Sequence, residues 1–235
     1  MKKPIRKLNI AIDGTAGSGK TTISKYIAKY LNYTHIDSGS IYRALAYKAI
    51  KNNIDYSNKK ALIKLSLKTN IKYFYRRQKN RIYIDGKDIT IKIRSEEVSC
   101  YVPHLARIKE IRLIVIKLQK KLAKAKGIVM EGRDIGTIVL PNADLKIFLD
   151  ASLNERVKRR YKELKKRYKH IIKSNVKKEI INRDMIDKKR KFGTLKKAKN
   201  AVLIDTTGLT VKEAVEKIFQ NYDTILPYGN RTKKA

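Results

Sequence analysis

Residues 12–24 read IDGTAGSGKTTIS, and within them Gly14, Gly19, Lys20 and Thr21 have the spacing of a phosphate-binding loop. Glycines there let backbone N–H groups approach and cradle phosphate oxygens, helped by the N-terminus of the helix that follows. Lys20 supplies a mobile positive charge for β- and γ-phosphates, and the Thr21 hydroxyl suits a Mg²⁺ ligand. Gly14, Thr15, Ala16, Gly17, Ser18, Gly19, Lys20, Thr21 and Thr22 are therefore the candidate nucleotide-binding residues. The flanks agree. LNIAID (8–13) is the apolar run of a buried strand, and TTISKYIAKYLN (21–32) places Ile23, Ile27, Tyr30 and Leu31 at helical spacing. The loop names a triphosphate but not the acceptor of its phosphoryl group: water, a macromolecule or a small molecule.

Further along, GIVME (127–131), LKIFLD (145–150) and AVLID (201–205) are short apolar runs, each ending on or beside an acidic residue and separated by helical stretches. With HID (35–37) they predict an α/β fold whose core is a five-stranded parallel sheet covered by helices. IKYFY (71–75), RIYIDG (81–86) and KDITIKI (87–93) instead alternate apolar and polar residues, with Asp85-Gly86 as a hairpin turn. They predict a small antiparallel β insert, followed by one helix over PHLARIKEIRLIVIKLQKKLAKAK (103–126). The expected organisation is a single domain over 1–225, with core about 5–60 and 100–225, insert about 65–98, a helical lid about 154–182 and a loose tail over 226–235.

Composition bounds the chemistry. The 235-residue chain has 42% hydrophobic residues, enough for a buried core, and one cysteine, Cys100, which leaves no intramolecular disulfide or cysteine-rich metal site. The apolar run before Asp13 is only about five residues long, short of the roughly 7–15 of a signal peptide, and no run approaches the ~20 of a membrane helix. The cytoplasm is the expected compartment, with no membrane partner. The net charge of +36 invites a nucleic-acid reading, but the lysines are spread over the whole chain beside abundant Ile, Asn and Tyr, a mixture that A/T-rich codons produce. No specific nucleic-acid partner is expected; anionic nucleotides are drawn in, and polyanions are bound non-specifically at low salt.

Three further constellations carry chemistry. DSGSIYR (37–43) puts Asp37 at a strand end near the loop, with Ser38 and Arg43 opening a helix. EGRDIGT (131–137) ends a strand with Glu131, whose carboxylate can approach the metal's water shell, and projects Arg133 and Asp134 into the crevice. NRDMIDKKR (182–190) sets Arg183, Asp187 and Arg190 on one helical face. The chain has 41 lysines and 16 arginines, yet these groups use arginine, which hints at a need for a planar, bidentate fork. The basic helix NERVKRRYKELKKRYKH (154–170) reads as a lid from which Arg156, Arg159 or Arg160 swings onto the transferring phosphoryl group.

In order along the chain, IDGTAGSGKTT, DSGSIYR, IRSEEVS, EGRDIGT, LKIFLDAS and RDMIDKKR resemble the bacterial cytidylate kinases of the nucleoside monophosphate kinase group, over about Leu8–Ile218. The resemblance implies phosphoryl transfer from ATP, with Mg²⁺, to CMP and dCMP by a monomer. It implies that Ser38, Arg43 and Arg133 hold the acceptor's phosphate with Arg190 nearby, that Arg112 and Asp134 read the cytosine edge, and that Arg183 and Asp187 bind the sugar hydroxyls. Lys20, Arg133, Arg156, Arg160 and Arg190 are the expected catalytic residues, and Thr21, with Asp37 and Glu131 through water, the expected metal ligands. Three positions depart from the pattern. Pro103 stands where a serine near the base is usual, Thr194 where a proline is, and Asn200 where an aspartate is; the last two lie in a segment expected toward the adenine pocket. Broader UMP/CMP specificity and a basic nucleic-acid-binding NTPase are the alternatives.

Overall fold

A computed structural model describes residues 7–76, 79–166 and 168–222; the expected tail over 226–235 lies outside them. The chain order is β1 (Asn9–Gly14), α1 (Lys20–Leu31), β2 (Thr34–Asp37), α2 (Ser38–Lys51), α3 (Lys59–Lys68), β3 (Ile71–Arg76), β4 (Lys79–Ile84), β5 (Lys87–Asp88), α4 (Glu96–Ala106), α5 (Lys109–Ala123), β6 (Ile128–Gly132), β7 (Leu145–Asp150), α6 (Leu153–Lys165), α7 (Lys173–Lys189), β8 (Val202–Asp205) and α8 (Val211–Gln220).

The expected parallel sheet is present, in the order β2-β6-β1-β7-β8. Its central strands are apolar on both faces because helices cover both. Ile36, Met130 and Ala11 pack with α2, α4 and α5 on one side, while Ile10, Ile12, Ile147 and Leu149 pack with Ile23, Ile27, Val215 and Phe219 on the other. The acidic strand ends all leave the sheet at its carboxyl edge, where ligands of open α/β sheets bind. Asp37 and Glu131 lie in register there, as do Asp13 and Gly132.

The insert differs from its expected form in one respect. β3 and β4 pair antiparallel over their full length, but the third strand, expected over KDITIKI, is only Lys87–Asp88. Asp88 Oδ1 accepts from Thr90 N–H (2.9 Å) and turns the chain, and Thr90 Oγ1 then accepts the Ile82 N–H that a longer strand would have taken. The helix expected over 103–126 is two helices. α4 starts at Glu96, where Ser95 Oγ accepts from Val98 N–H, and contains Pro103; Ile108 is extended, and α5 begins anew at Lys109. This break lets Arg112, in the first turn of α5, turn inward and become one of the largest fully buried side chains.

Candidate functional site

The phosphate loop is built by close approach. A Cβ on Gly14 would lie 2.0 Å from Leu149 O, so only glycine lets the chain leave β1 against β7. Thr15 Oγ1 donates to Asp150 Oδ1 (2.6 Å), and Ser18 Oγ donates to Thr15 O (2.9 Å), which fixes the loop's curl. Lys20 Nζ folds back onto Thr15 O at 2.5 Å. Burial, with Arg133 adding to it, pulls the Lys20 ammonium down to about 7; a polyphosphate in the cradle would oppose that shift. Asp13, just before the loop, accepts from the N–H groups of Ile135 (2.8 Å) and Gly136 (2.7 Å). It thereby locks the turn after β6, a π-helical turn from Ile135 to Val139, to the root of the loop. Burial outweighs those bonds and raises Asp13 to about 6.

A cleft of about 840 Å³ runs from the loop across the carboxyl edge, and Lys20, Thr21, Ser38, Arg43, Arg112, Glu131, Arg133, Asp134, Arg160, Arg183, Asp187 and Arg190 all line it. Asp187 is its hub. It accepts from Arg133 Nε at 2.7 Å and lies 3.2 Å from Arg190 Nη2 and 3.6 Å from Arg183 Nε. Burial works to raise its pKa, but Arg133, Arg183 and Arg190 outweigh it and hold the carboxyl below the usual range. Three cations share one carboxylate, so positive charge is left over for an anion. Arg183 Nε and Arg190 Nη2 are buried without a hydrogen-bond acceptor, as is Arg112 Nε. At the far end Arg112, 1% exposed, pairs with Asp134 and donates to Ala106 O (3.2 Å), under the Tyr42 ring. Gly193 closes over this pair: a Cβ there would lie 2.4 Å from both side chains. The segment 191–200, expected toward the adenine pocket, therefore packs on Arg112 and Asp134 through Gly193. The cleft wall beside the loop is Thr206, Leu209, Thr210 and Val211, which the sequence reading missed.

Two expected site residues, Arg156 and Asp37, have partners that the sequence did not suggest. Arg156, expected to swing onto the transferring group, is held under the loop. It is buried and donates to Ala151 O (3.0 Å), Ala16 O (3.0 Å) and Asp184 Oδ2 (2.5 Å), while Asp184 Oδ1 accepts from Ala16 N–H (2.9 Å). Arg156 and Asp184 clasp the loop from behind. Asp184 sits three residues from Asp187 on α7, and that spacing was the available signal for it. Among the described residues Arg160 is tied only to Glu163 (3.1 Å) and Glu179 (3.6 Å), both well exposed. Asp37, expected to meet a metal through water, has both oxygens engaged otherwise. Oδ1 accepts from Ser40 N–H (3.2 Å) to cap α2, and Oδ2 lies 3.8 Å from Arg43 and 3.5 Å from Arg94. Burial works to raise its pKa, yet Arg43 and Arg94 keep it lowered. Arg94, at the insert's end, is a further cleft residue that the sequence reading passed over.

Among the described residues no cluster of three or more His, Cys, Asp or Glu could hold a metal alone. The fitting pair is Thr21 and Glu131, whose Oγ1 and Oε2 lie 2.9 Å apart beside the loop. One hydroxyl and one carboxylate suit a Mg²⁺ that takes its other ligands from phosphates and water.

The family model for cytidylate kinase matches residues 10–224. The chain belongs to the cytidylate kinase family. It is 52% identical over 211 residues to a cytidylate kinase of Alkaliphilus oremlandii, covering 90% of this chain and 95% of that one. It is 40% identical over 215 residues to that of Bacillus subtilis, covering 92% and 96%. Among solved structures, an uncharacterized protein from Eubacterium ventriosum (TM-score 0.53, 14% identity, 93% of this chain and 99% of that one) has the same fold. So does a gluconokinase from Sinorhizobium meliloti (TM-score 0.50, 13% identity, 94% and 95%).

Set against the family pattern, the three departures have local accounts. Pro103 is not among the residues that line the cleft, whereas Ser99, one turn earlier on α4, is. Thr194 Oγ1 donates to Arg190 O (2.9 Å) at the end of α7. Asn200 Oδ1 accepts from Lys146 Nζ (2.8 Å), so a buried lysine of β7 has a neutral partner in place of a carboxylate.

Proposed function

We infer that this member of the cytidylate kinase family moves the γ-phosphoryl group of ATP to CMP and dCMP, giving ADP and CDP or dCDP. The observation that carries the reading is the second cationic centre. Besides Lys20, the cleft is lined by Arg43, Arg133, Arg183 and Arg190, a cationic group suited to a second phosphate, with Arg112 and Asp134 in the same cleft. Hydrolysis of a triphosphate needs no such centre.

Gly14 to Thr22 hold the donor's phosphates. Ser38, Arg43 and Arg133 hold the acceptor's phosphate, with Arg190 beside them, and Arg183 and Asp187 take the sugar. An oxygen of that phosphate attacks the γ-phosphorus as its bond to the β–γ bridging oxygen breaks. The attacking oxygen is already ionised, so no general base is required. Transfer is chiefly alignment and charge neutralisation by Lys20, Arg133, Arg190 and the lid's Arg160. Arg156 contributes by holding the loop. Mg²⁺, on Thr21 and Glu131, would neutralise charge on the β- and γ-oxygens. Asp134 accepts from the cytosine amine and Arg112 donates to the ring acceptors; uracil would set a carbonyl against the Asp134 carboxylate.

We assign one kinase domain over 1–225, an insert about 65–98 that closes on the acceptor, and a lid about 154–182 that excludes water. We place a monomer in the cytoplasm, a reducing compartment that suits the lone free cysteine. Among the described residues no helix is long and apolar enough to cross a membrane.

The test is coupled ADP release with CMP, dCMP, UMP, dTMP, AMP, GMP or no acceptor. ADP formed chiefly with CMP and dCMP is expected. Equal turnover with UMP would overturn the base-reading assignment, and acceptor-free release stimulated by RNA would overturn the kinase. Asp134→Asn removes the repulsion of uracil, so the CMP-to-UMP ratio of kcat/KM should fall about 10–100-fold.

A further inference from the structure

His35 lies on β2 with its imidazole wholly buried, and nothing above gives it a task. Its two nitrogens face different parts of the molecule. Nδ1 is 2.9 Å from Asn80 Nδ2, on β4 of the insert. Nε2 is 3.1 Å from Glu131 Oε1 and 3.1 Å from Ser24 Oγ. A carboxylate oxygen only accepts, so the ring proton sits on Nε2 facing Glu131, and Nδ1 is left to accept from the Asn80 amide. Ser24 Oγ already donates to Lys20 O (2.6 Å), leaving its lone pairs for Nε2–H. Nε2–H is thus shared between a carboxylate oxygen and a hydroxyl that is itself anchored to the backbone of the phosphate loop's lysine. The other oxygen of Glu131 accepts from Thr21 Oγ1 (2.9 Å).

A buried carboxylate with one oxygen in the cleft can rotate unless the other is held, and His35 is the side chain that holds it. We propose that His35 is a positioning residue: through Nε2–H it fixes the Glu131 carboxylate beside Thr21 for a nucleotide-bound divalent cation, while Asn80 of the insert fixes which nitrogen carries the proton. This rests on the assignment of Thr21 and Glu131 as the metal end of the site. The insert is thereby joined to the metal end by two hydrogen bonds, Asn80 to His35 and His35 to Glu131. Groups that orient a metal's carboxylate or imidazole ligands typically change metal affinity 10–100-fold when removed.

The experiment is calorimetric titration of the full chain with ADP, with and without Mg²⁺, for the wild type and His35→Leu, His35→Gln, Asn80→Ala and Glu131→Gln. His35→Leu should cut the Mg²⁺ enhancement of ADP affinity about tenfold or more and leave metal-free ADP affinity within twofold. His35→Gln, whose amide can still donate, should recover much of that loss. Asn80→Ala should lose severalfold in the same direction. A histidine that only fills the core would weaken both titrations equally, and that result, or an unchanged enhancement in His35→Leu, overturns the proposal. Should His35→Leu not fold, Asn80→Ala decides, an unchanged enhancement again being fatal. Glu131→Gln separates the premise. If it leaves the enhancement intact, the metal-end assignment itself is wrong; if it abolishes the enhancement while the His35 variants do not, only the role of His35 falls.

Discussion

Asp13 shows how one buried carboxylate ties the two halves of the cleft. Two backbone N–H groups satisfy it, yet burial dominates and raises it to about 6, above the ordinary value of 3.8. A raised folded-state pKa contributes stability that is present below the unfolded value and is lost as pH rises through the folded one. With each pH unit worth about 1.4 kcal/mol, the contribution of Asp13 should decline by up to about 3 kcal/mol between pH 4 and pH 7. The destabilisation caused by Asp13→Asn should therefore be larger at pH 5 than at pH 8, as urea unfolding at the two values would read. Asn200 makes the opposite case. Lys146 Nζ is held by a neutral amide, and Asn200→Asp would make that bond charge-assisted. A gain of about 1–2 kcal/mol in unfolding free energy is expected; a loss would mean the site cannot desolvate the new carboxylate.

At the scale of elements, the two α6 arginines, Arg156 and Arg160, should separate cleanly. Arg156→Ala strands the buried Asp184 carboxylate and should cost about 3–5 kcal/mol in unfolding free energy, with weaker ADP binding. Arg160→Ala breaks only pairs to exposed glutamates, so stability should stay within about 0.5 kcal/mol. Its kcat should nonetheless fall by about 10²-fold or more if it meets the transferring group. What was legible in the sequence follows the same division. The parallel strands, the loop and the acidic strand ends are local patterns, and each stands where periodicity put it. The break at Ile108 was not legible, because apolar spacing continues through it and only the burial of Arg112 requires it. The shortened third strand was hidden for a related reason: a side chain, Thr90, takes over a backbone bond. The clasp made by Arg156 was not legible because its partners, Ala16 and Asp184, are far away in the chain, and a basic helix looks alike whether it guards a cleft or grips a loop. His35 and Asn80 gave no signal, since a strand histidine and a strand asparagine carry none until the insert is folded against the sheet.

For the whole molecule, charge and topology matter most. With 57 basic and 21 acidic side chains, the surface field should concentrate anions at low ionic strength and fade as the screening length falls below ~10 Å above 0.1 M salt. The KM for CMP should rise with salt while kcat moves less. Binding of the chain to single-stranded RNA should weaken linearly on a log–log salt plot, with no preference among sequences. Sequence-dependent retention at 0.3 M salt would contradict that. The strand order has a consequence for synthesis. β1 lies between β6 and β7, and among the described residues β2 pairs only with β6, so neither early strand has one of these sheet neighbours until Ile128–Gly132 has been made. At ribosomal speeds the nascent segment waits on the order of ten seconds with Ile10, Ala11 and Ile12 unpaired. The β3–β4 hairpin, whose strands are neighbours in sequence, can form meanwhile. A chain stalled before β6 would expose bare strand edges to chaperones, and the phosphate loop, translated before the rest of its cleft, would be among the last parts to take its shape.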